Sequence, residues 1–336
     1  MTCRECWHYA DWAVTSPDPP IIFLALLLDL VVGDPRWLPH PVVAIGRLIA
    51  ILDRGLRRDR LNERLAGVLL LVAVVVSAAG TTWILLRALA ALLPLAGWIA
   101  TILISSTCLA ARSLHKESAR VASALLAGDL LEARRQLSFI VGRDTDHLEE
   151  PEIWRAVVET VAENSSDGII APLFWLTAGG PVLAMAYKAV STLDSMVGYR
   201  NPRYLKLGWA SARTDDLLNF IPARLTALLL VIAAPLAGCS ASGAARITLR
   251  DRLNHPSPNS GHPEAAAAGA LGVRLGGAAS YDGIPSWKEH IGDGLQPLDE
   301  RAYYGMIKLM YISTLLMAAV CMAVAYFLRG FHVPFL

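Results

Sequence analysis

Apolar residues gather into five long windows separated by charged, proline-marked segments, instead of recurring evenly along the chain. The windows are 20–32, 66–108, 169–187, 220–238 and 309–328, and Asp29, Arg87 and Arg224 are their only charged residues. A crossing helix needs roughly 20 apolar residues, so 309–328 reads as one span and 66–108 as two. Arg87 near the middle of that run, with Pro94 and Gly97 after it, predicts a helical hairpin whose Arg87 reaches the far interface. Window 20–32 is too short to cross alone. Gly179-Gly180-Pro181 interrupt the third window, which reads as broken or re-entrant. Between windows, 112–141 reads as two soluble helices split at Gly128-Asp129, and no strand pattern of real length stands out. The expected fold class is all-α, a polytopic membrane protein with helical hairpins, broken or re-entrant segments, and amphipathic helices on the cytoplasmic side. Residues 1–19 form a polar N-terminal extension and 20–336 a single membrane domain.

Composition agrees. The chain is 54% hydrophobic and 18% charged, whereas soluble domains average about 45–50% and about 25%. That excludes an ordinary cytosolic globule, collagen, wholesale disorder and a disulfide-stapled module. Thirty basic residues against 29 acidic ones leave no electrostatic case for a nucleic-acid partner; the bilayer is the expected one. Segment 33–65 carries seven arginines and 109–168 seven basic residues, so both read as cytoplasmic. Segment 188–219 is basic too and 239–308 holds seven more basic residues, which leaves the number of crossings and the topology open. The first 19 residues lack a secretory pattern. Cys3, Cys6 and His8 resemble a metal site only faintly, because Trp7 stands where haem attachment needs histidine and no second cysteine pair follows.

Four polar clusters carry candidate chemistry. Asp34, Arg36 and His40 sit among Pro35, Pro39 and Pro41, which also fits a stiff connector. Gly142-Arg143-Asp144-Thr145-Asp146 precedes a helix from about Pro151 to Asn164, then Ser165-Ser166-Asp167-Gly168. On that helix Arg155, Glu159 and Glu163 share a face. Two carboxylates one turn apart suit a divalent cation, with Asn164 and Asp167 adding oxygens, and Mg²⁺ favours such sets together with phosphate oxygens. The bland alternative is an Arg155–Glu159 salt bridge on a wet face. The third cluster runs from Lys188, Ser191, Asp194 and Arg200 through Arg213, Asp215 and Asp216 to Arg224. Lipid anchoring explains its cations but not its aspartates, and Arg224 inside an apolar run calls for a partner. The fourth, 250–264, includes His255, Ser257, Asn259, Ser260, His262 and Glu264 before an Ala/Gly-rich helix over 265–275. Its Ser257, Asn259 and Ser260 suit a cap or an anion site. Gly269, Gly272, Gly276 and Gly277 match neither a P-loop nor a dinucleotide fingerprint. The shared inventory, carboxylates for a metal and cations for phosphate or carboxylate, suggests phosphate-dependent group transfer at the membrane face.

These segments resemble one family. Gly33-Asp34-Pro35 with Pro39-His40-Pro41, Gly142-Arg143-Asp144-Thr145, Arg155 through Phe174, Lys188 through Tyr199, Ser211-Ala212-Arg213 with Asp215-Asp216, Pro222-Ala223-Arg224, and Ser257-Pro258-Asn259 with Glu264 are similar to the membrane-bound adenosylcobinamide-phosphate synthases of cobalamin biosynthesis, the CobD/CbiB family. The likeness runs from about Leu24 to the last span. Ser191 stands where the family usually has Asn, and Ser165-Ser166 replace a Thr-containing pair.

The resemblance implies an amide ligase that joins the free propionate of adenosylcobyric acid, a corrinoid, to (R)-1-amino-2-propanol or its O-phosphate. ATP is the expected activating cosubstrate, although no nucleotide motif is present. Mg²⁺ is expected at Glu159, Glu163, Asn164 and Asp167, with Asp194 or Asp215. Arg143, Lys188, Arg200, Arg213, Arg224 and Asn259 are expected to hold phosphate or propionate, and Asp34, His40 or Glu264 to take the amine proton. Other membrane-associated late cobalamin enzymes are expected neighbours. Two alternatives stay open: a non-catalytic AmpE-like regulatory membrane protein, which leaves the acid-plus-base clusters unexplained, and a corrinoid transporter, for which broken helices speak but no inverted repeat does.

Overall fold

The computed structural model describes residues 18–34, 40–56, 62–199, 201–281 and 283–332. Cys3, Cys6, His8 and Arg200 therefore lie outside the described residues. Backbone packing divides the chain into two compact units, one of residues 1–110, 171–218 and 318–336, the other of 111–170 and 219–317. Each unit is assembled from discontinuous segments.

The first unit holds α1 (Pro19–Val31), α2 (Pro41–Leu56), α3 (Glu63–Leu92), α4 (Pro94–Ser106), α8 (Ala171–Val197), α9 (Trp209–Leu218) and the end of the last helix. The chain turns at Leu93, whose extended backbone is what a residue before proline prefers, and α4 returns against α3. At the turn Gly97 lies so close to Ala90 that an added Cβ would come within 2.6 Å of it. The expected hairpin is present, and Arg87 sits over the Trp83 ring. α3 leaves Val68, Val72, Val76, Ile84 and Leu92 exposed, an apolar stripe suited to hydrocarbon and costly in water. α8 is broken at Gly179 and Gly180, Gly180 with φ +68°, just before Pro181, as the sequence suggests.

The second unit holds α5 (Ala111–Leu126), α6 (Leu130–Leu137), α7 (Glu150–Ser165), a π-helical turn at Ser166–Ile170, α10 (Phe220–Leu236), α11 (Ala241–Asp251), α12 (Gly261–Leu271), β1 (Leu275–Tyr281), β2 (Ile284–Ile291) and the start of α13 (Glu300–His332). α5 and α6 are the two helices expected over 112–141: Gly128 takes φ +73°, and Asp129 caps α6 by accepting from the Glu132 N–H at 2.9 Å. The helix expected to stop at Asn164 does not stop. Gly168 costs a helix only about 1 kcal/mol, and buried Ile169 and Ile170 carry the helix through the π turn into α8.

Strands are a second departure from the sequence reading. β1 and β2 form an antiparallel hairpin, pairing Leu275 with Ile291 and Gly277 with Lys288 across a bulge. Most of β2 is exposed, so no alternation of apolar and polar residues marked it. Likewise α12 begins at Gly261 instead of Ala265 and ends at Gly272, whose φ of +72° closes it. The helix is buried along nearly its whole length. Its small residues allow that: a Cβ on Gly269 would come within 2.3 Å of the Gly243 carbonyl oxygen on α11.

Among the described residues, four helical runs are long and apolar enough to cross a bilayer: Glu63–Leu92, Pro94–Leu126, Glu150–Val197 and Glu300–Leu328. Trp209–Leu218 and Phe220–Leu236 together would make a fifth, as a broken span or a re-entrant loop, and α1 is too short. The chain is a polytopic, overwhelmingly helical membrane protein.

Candidate active site

In the second unit one face of α7 meets the α11–α12 connection and the hairpin. Pro151 in the first turn of α7, and the Glu149 N–H donating to Glu152 at 2.9 Å, start the helix. Glu159, 3% exposed, is the centre of the cluster. Arg143 donates to its Oε2 at 2.5 Å, and the Gly276 N–H donates to its Oε1 at 2.8 Å. Arg155 lies 3.9 Å from Glu159 and donates instead to the Ala278 carbonyl at 2.7 Å. The salt bridge on a wet face is therefore a buried, multi-partner arrangement that ties α7 to β1. One turn on, Glu163 accepts from the Ser260 hydroxyl at 2.8 Å. Ser260 makes no side-chain cap to α12, so the capping role foreseen for it gives way to that bond.

Glu264, 2% exposed, lies one turn after Ser260, and His255 Nε2 stands 3.7 Å from its carboxylate. Lys288 Nζ on β2 is 3.1 Å from the same ring nitrogen, while the Ser257 N–H donates to Nδ1 at 3.0 Å. Burial, reinforced by the Glu159 and Glu163 carboxylates, holds Glu264 well above the usual carboxylate range. Burial and the Lys288 ammonium push His255 down to about 4. Burial alone would lower Lys288, but the Glu264, Glu159 and Glu163 carboxylates, with Tyr281, leave it above its ordinary value. Arg143 likewise ends above its ordinary value, burial being outweighed by Glu159. The arrangement holds a neutral imidazole and a protonation-prone carboxyl among fixed cations. Such a set can bind an anion and move a proton.

Glu159, Glu163, Asn164, Asp167, Glu264, Arg143, Arg224 and Asn259 all lie in this unit. Asn164 donates to the Thr160 carbonyl of its own helix. Among the described residues no three His, Cys, Asp or Glu side chains stand together as a metal-binding group. Glu159, committed to Arg143 and Gly276, does not fit the role of a resident Mg²⁺ ligand. The remaining candidates lie in the first unit. Asp34 and His40 hold each other at 3.1 Å, His40 Nδ1 accepting from the Val42 N–H. Lys188 and Asp194 are on α8, and Arg213 and Asp215 on α9, where Arg213 faces Asp216 at 3.8 Å. His255 and Lys288 are the residues that sequence reading did not assign. His255 had a signal in its Pro/Ser/Asn-rich segment; Lys288 had none, because its strand was not visible.

A multi-pass helical membrane protein with a buried, mixed-charge site is the class that fold and geometry define. The chain belongs to the CobD/CbiB family: the family described as CobD/Cbib protein matches residues 22–310. It is 66% identical over 318 residues to the cobalamin biosynthesis protein CobD of Pelobacter propionicus, covering 95% of this chain and 98% of that one. It is 48% identical to the cobalamin biosynthesis protein CobD of Klebsiella pneumoniae, over 91% and 97% of the two chains. Against the cobalamin biosynthesis protein CbiB of Salmonella typhi it is 46% identical, with the same coverage. No solved structure matches the chain.

Proposed function

We propose that this chain acts in cobalamin biosynthesis as an amide-forming ligase, joining (R)-1-amino-2-propanol or its O-phosphate to the free propionate of adenosylcobyric acid. The relatives' names support the pathway. The observation that carries the chemistry is the buried pairing of Lys288, neutral His255 and Glu264 beside the Arg143–Glu159 pair.

Condensing a carboxylate with an amine is uphill in water, so activation is required. ATP's terminal phosphoryl group passes to a propionate oxygen, breaking its bond to ADP and giving an acyl phosphate. The amine nitrogen then bonds to the carbonyl carbon, phosphate leaves with the electrons of the C–O bond, and the nitrogen gives its proton to His255. Arg143 and Lys288 stabilise the anionic carboxylate and phosphate. His255 is suited to accept because its ring stays neutral at physiological pH. Mg²⁺ enters only as the counter-ion of ATP, and no step is assigned to it. The site belongs on the cytoplasmic face of the inner membrane, where ATP and other late cobalamin enzymes are available.

The test is direct. Purified protein in lipid nanodiscs, supplied with adenosylcobyric acid, either amine, ATP and Mg²⁺, is expected to give the amide, detected by its mass. Folded, inserted protein that yields no amide with either amine overturns the proposal. In cells, a deletion strain is expected to be rescued by cobinamide and not by cobyric acid.

A further inference from the structure

His255 lies on the connection between α11 and α12, and Lys288 lies on β2, 33 residues further along the chain. Pairing of Lys288 with Gly277 fixes where the lysine stands along the hairpin, but not how near β2 comes to that connection. A two-stranded hairpin is marginal by itself, so its placement depends on ties to other elements. Arg155 on α7 holds the Ala278 carbonyl of β1 at 2.7 Å, and Asp144 accepts from the Ser280 hydroxyl at 2.6 Å and the Gly283 N–H at 2.9 Å. These bonds secure β1 and the turn. The approach of β2 is set elsewhere.

It is set at a seam between the end of α11 and the end of β2. Asn254 Nδ2 donates to the His290 carbonyl at 2.9 Å. Asn254 is the residue before His255, and His290 stands two residues after Lys288. One hydrogen bond and the 3.1 Å Lys288–His255 contact therefore run side by side between the same two segments. Below them Asp251, 5% exposed, accepts from the Gly292 N–H at 2.8 Å and from Arg250 at 2.6 and 2.7 Å. A buried carboxylate is tolerated only when paired in this way. Arg250 and Arg246 also hold Asp293, at 2.7 and 2.5 Å. Gly292 has φ +94°, and a Cβ there would stand 2.2 Å from the Val273 carbonyl oxygen, so the strand end is seated too closely to move independently. Asn254 itself folds back onto α11, its N–H donating to the Asp251 carbonyl at 2.9 Å.

We infer that Asn254, anchored by Asp251, is a positioning residue whose bond to the His290 carbonyl sets how closely Lys288 approaches His255. Asn254 touches neither the ring nor the ammonium; it acts through the distance between their segments. The inference deepens the ligase reading, in which His255 takes the amine proton, and its first readout does not depend on turnover.

That readout is the titration of His255. Lys288 from β2, Glu264 from α12, and Glu163 and Glu159 from α7 face the ring, Glu159 being tied to Arg143. His290, the other titratable ring on β2, is turned to the Leu275 carbonyl, 3.4 Å from its Nδ1. If Lys288 draws away, the carboxylates act with less opposition and His255 gains affinity for a proton.

The full chain in phosphatidylcholine nanodiscs, labelled at histidine, is titrated by NMR, with the His255 signal assigned by its loss in His255→Gln. In Asn254→Ala the ring is expected to titrate about one pH unit higher than in wild type. Lys288→Met separates positioning from general loosening: in that background Asn254→Ala is expected to add less than about half of its own shift, because the group it places is gone. Where amide forms, the acid limb of kcat/KM is expected to follow the titration. A folded Asn254→Ala whose His255 titrates as in wild type overturns the inference, as does an undiminished shift in the Lys288→Met background. If Asn254→Ala loses its melting transition, Asp251→Asn, which keeps an acceptor for Gly292 but loosens the hold of Arg250, is judged by the same two comparisons. A shifted titration in protein that makes no amide upholds the positioning role while the ligase reading falls; amide formation with an unmoved titration does the reverse.

Discussion

Arg143 and Glu159 form a charge pair at 2.5 Å with side chains 9% and 3% exposed, and the second Glu159 oxygen is held by the Gly276 N–H. Removing one member of a buried pair strands the other charge, at a cost of about 3–5 kcal/mol. Arg143→Met and Glu159→Leu are each expected to lower the melting temperature strongly, and the double variant to recover much of the loss. Thermal unfolding in one detergent checks this. A double variant no more stable than the worse single one would show that the pair acts through something other than charge compensation.

The pH dependence of stability has two arms of opposite sign. Glu264 is held above its ordinary value of 4.5, so its contribution is fully present below that pH and lost as pH rises towards its folded value. Glu264→Gln is expected to gain stability relative to wild type as pH rises above 4.5. His262 is held down at about 4 from an ordinary 6.5, so its neutral form supports the fold above 6.5 and that support is lost as pH falls towards 4. His262→Gln is expected to gain on wild type across that falling range. Melting temperatures from pH 4 to 8 decide both signs.

Much of this was legible in the sequence, because the bilayer imposes a length and a composition on whatever crosses it. The hairpin over 66–108, the break at Gly179-Gly180-Pro181 and the split at Gly128-Asp129 all follow from apolar run length and from where glycine and proline fall. Glu159 and Glu163 were legible as carboxylates one turn apart on a helix face, and Arg143 and Glu264 only as candidates implied by the resemblance. What the sequence hid depends on contacts distant along the chain. Lys288 reaches His255 only because β2 pairs with β1, and an exposed two-stranded hairpin carries almost no periodic signal. Glu159 looks like a metal ligand by spacing; only the approach of Arg143 and Gly276 turns it into an ion-pair partner.

Gly276 earns its own test. It has φ +80°, and a Cβ there would stand 2.3 Å from the Glu289 carbonyl oxygen on β2. Only a bare backbone can turn its N–H to Glu159 at this bulge. The left-handed conformation alone costs alanine about 1–2 kcal/mol, before the clash. Gly276→Ala is expected to destabilise the protein and to depress amide formation more than Gly283→Ala does, since Gly283 has φ +75° but open space around its would-be Cβ. Equal effects of the two substitutions on melting temperature and turnover would mean that the bulge does not position Glu159.

Lys288 permits a prediction that separates chemistry from scaffolding. Its ammonium, 3.1 Å from His255 Nε2, is the charged neighbour that most lowers the ring's affinity for a proton, after burial itself. Lys288→Met keeps an apolar stem of similar length and removes the charge. The expected result is a His255 pKa above about 4, moving towards the ordinary 6.5 as the Glu163 and Glu159 carboxylates act unopposed. If neutral His255 accepts the amine proton, the acid limb of kcat/KM for amide formation moves to higher pH in this variant. Lys288→Arg, which retains the charge, should leave that limb in place even where its turnover falls. A purely structural lysine would lower turnover in both variants and move the limb in neither, so the pH–rate profiles of the three proteins distinguish the two roles.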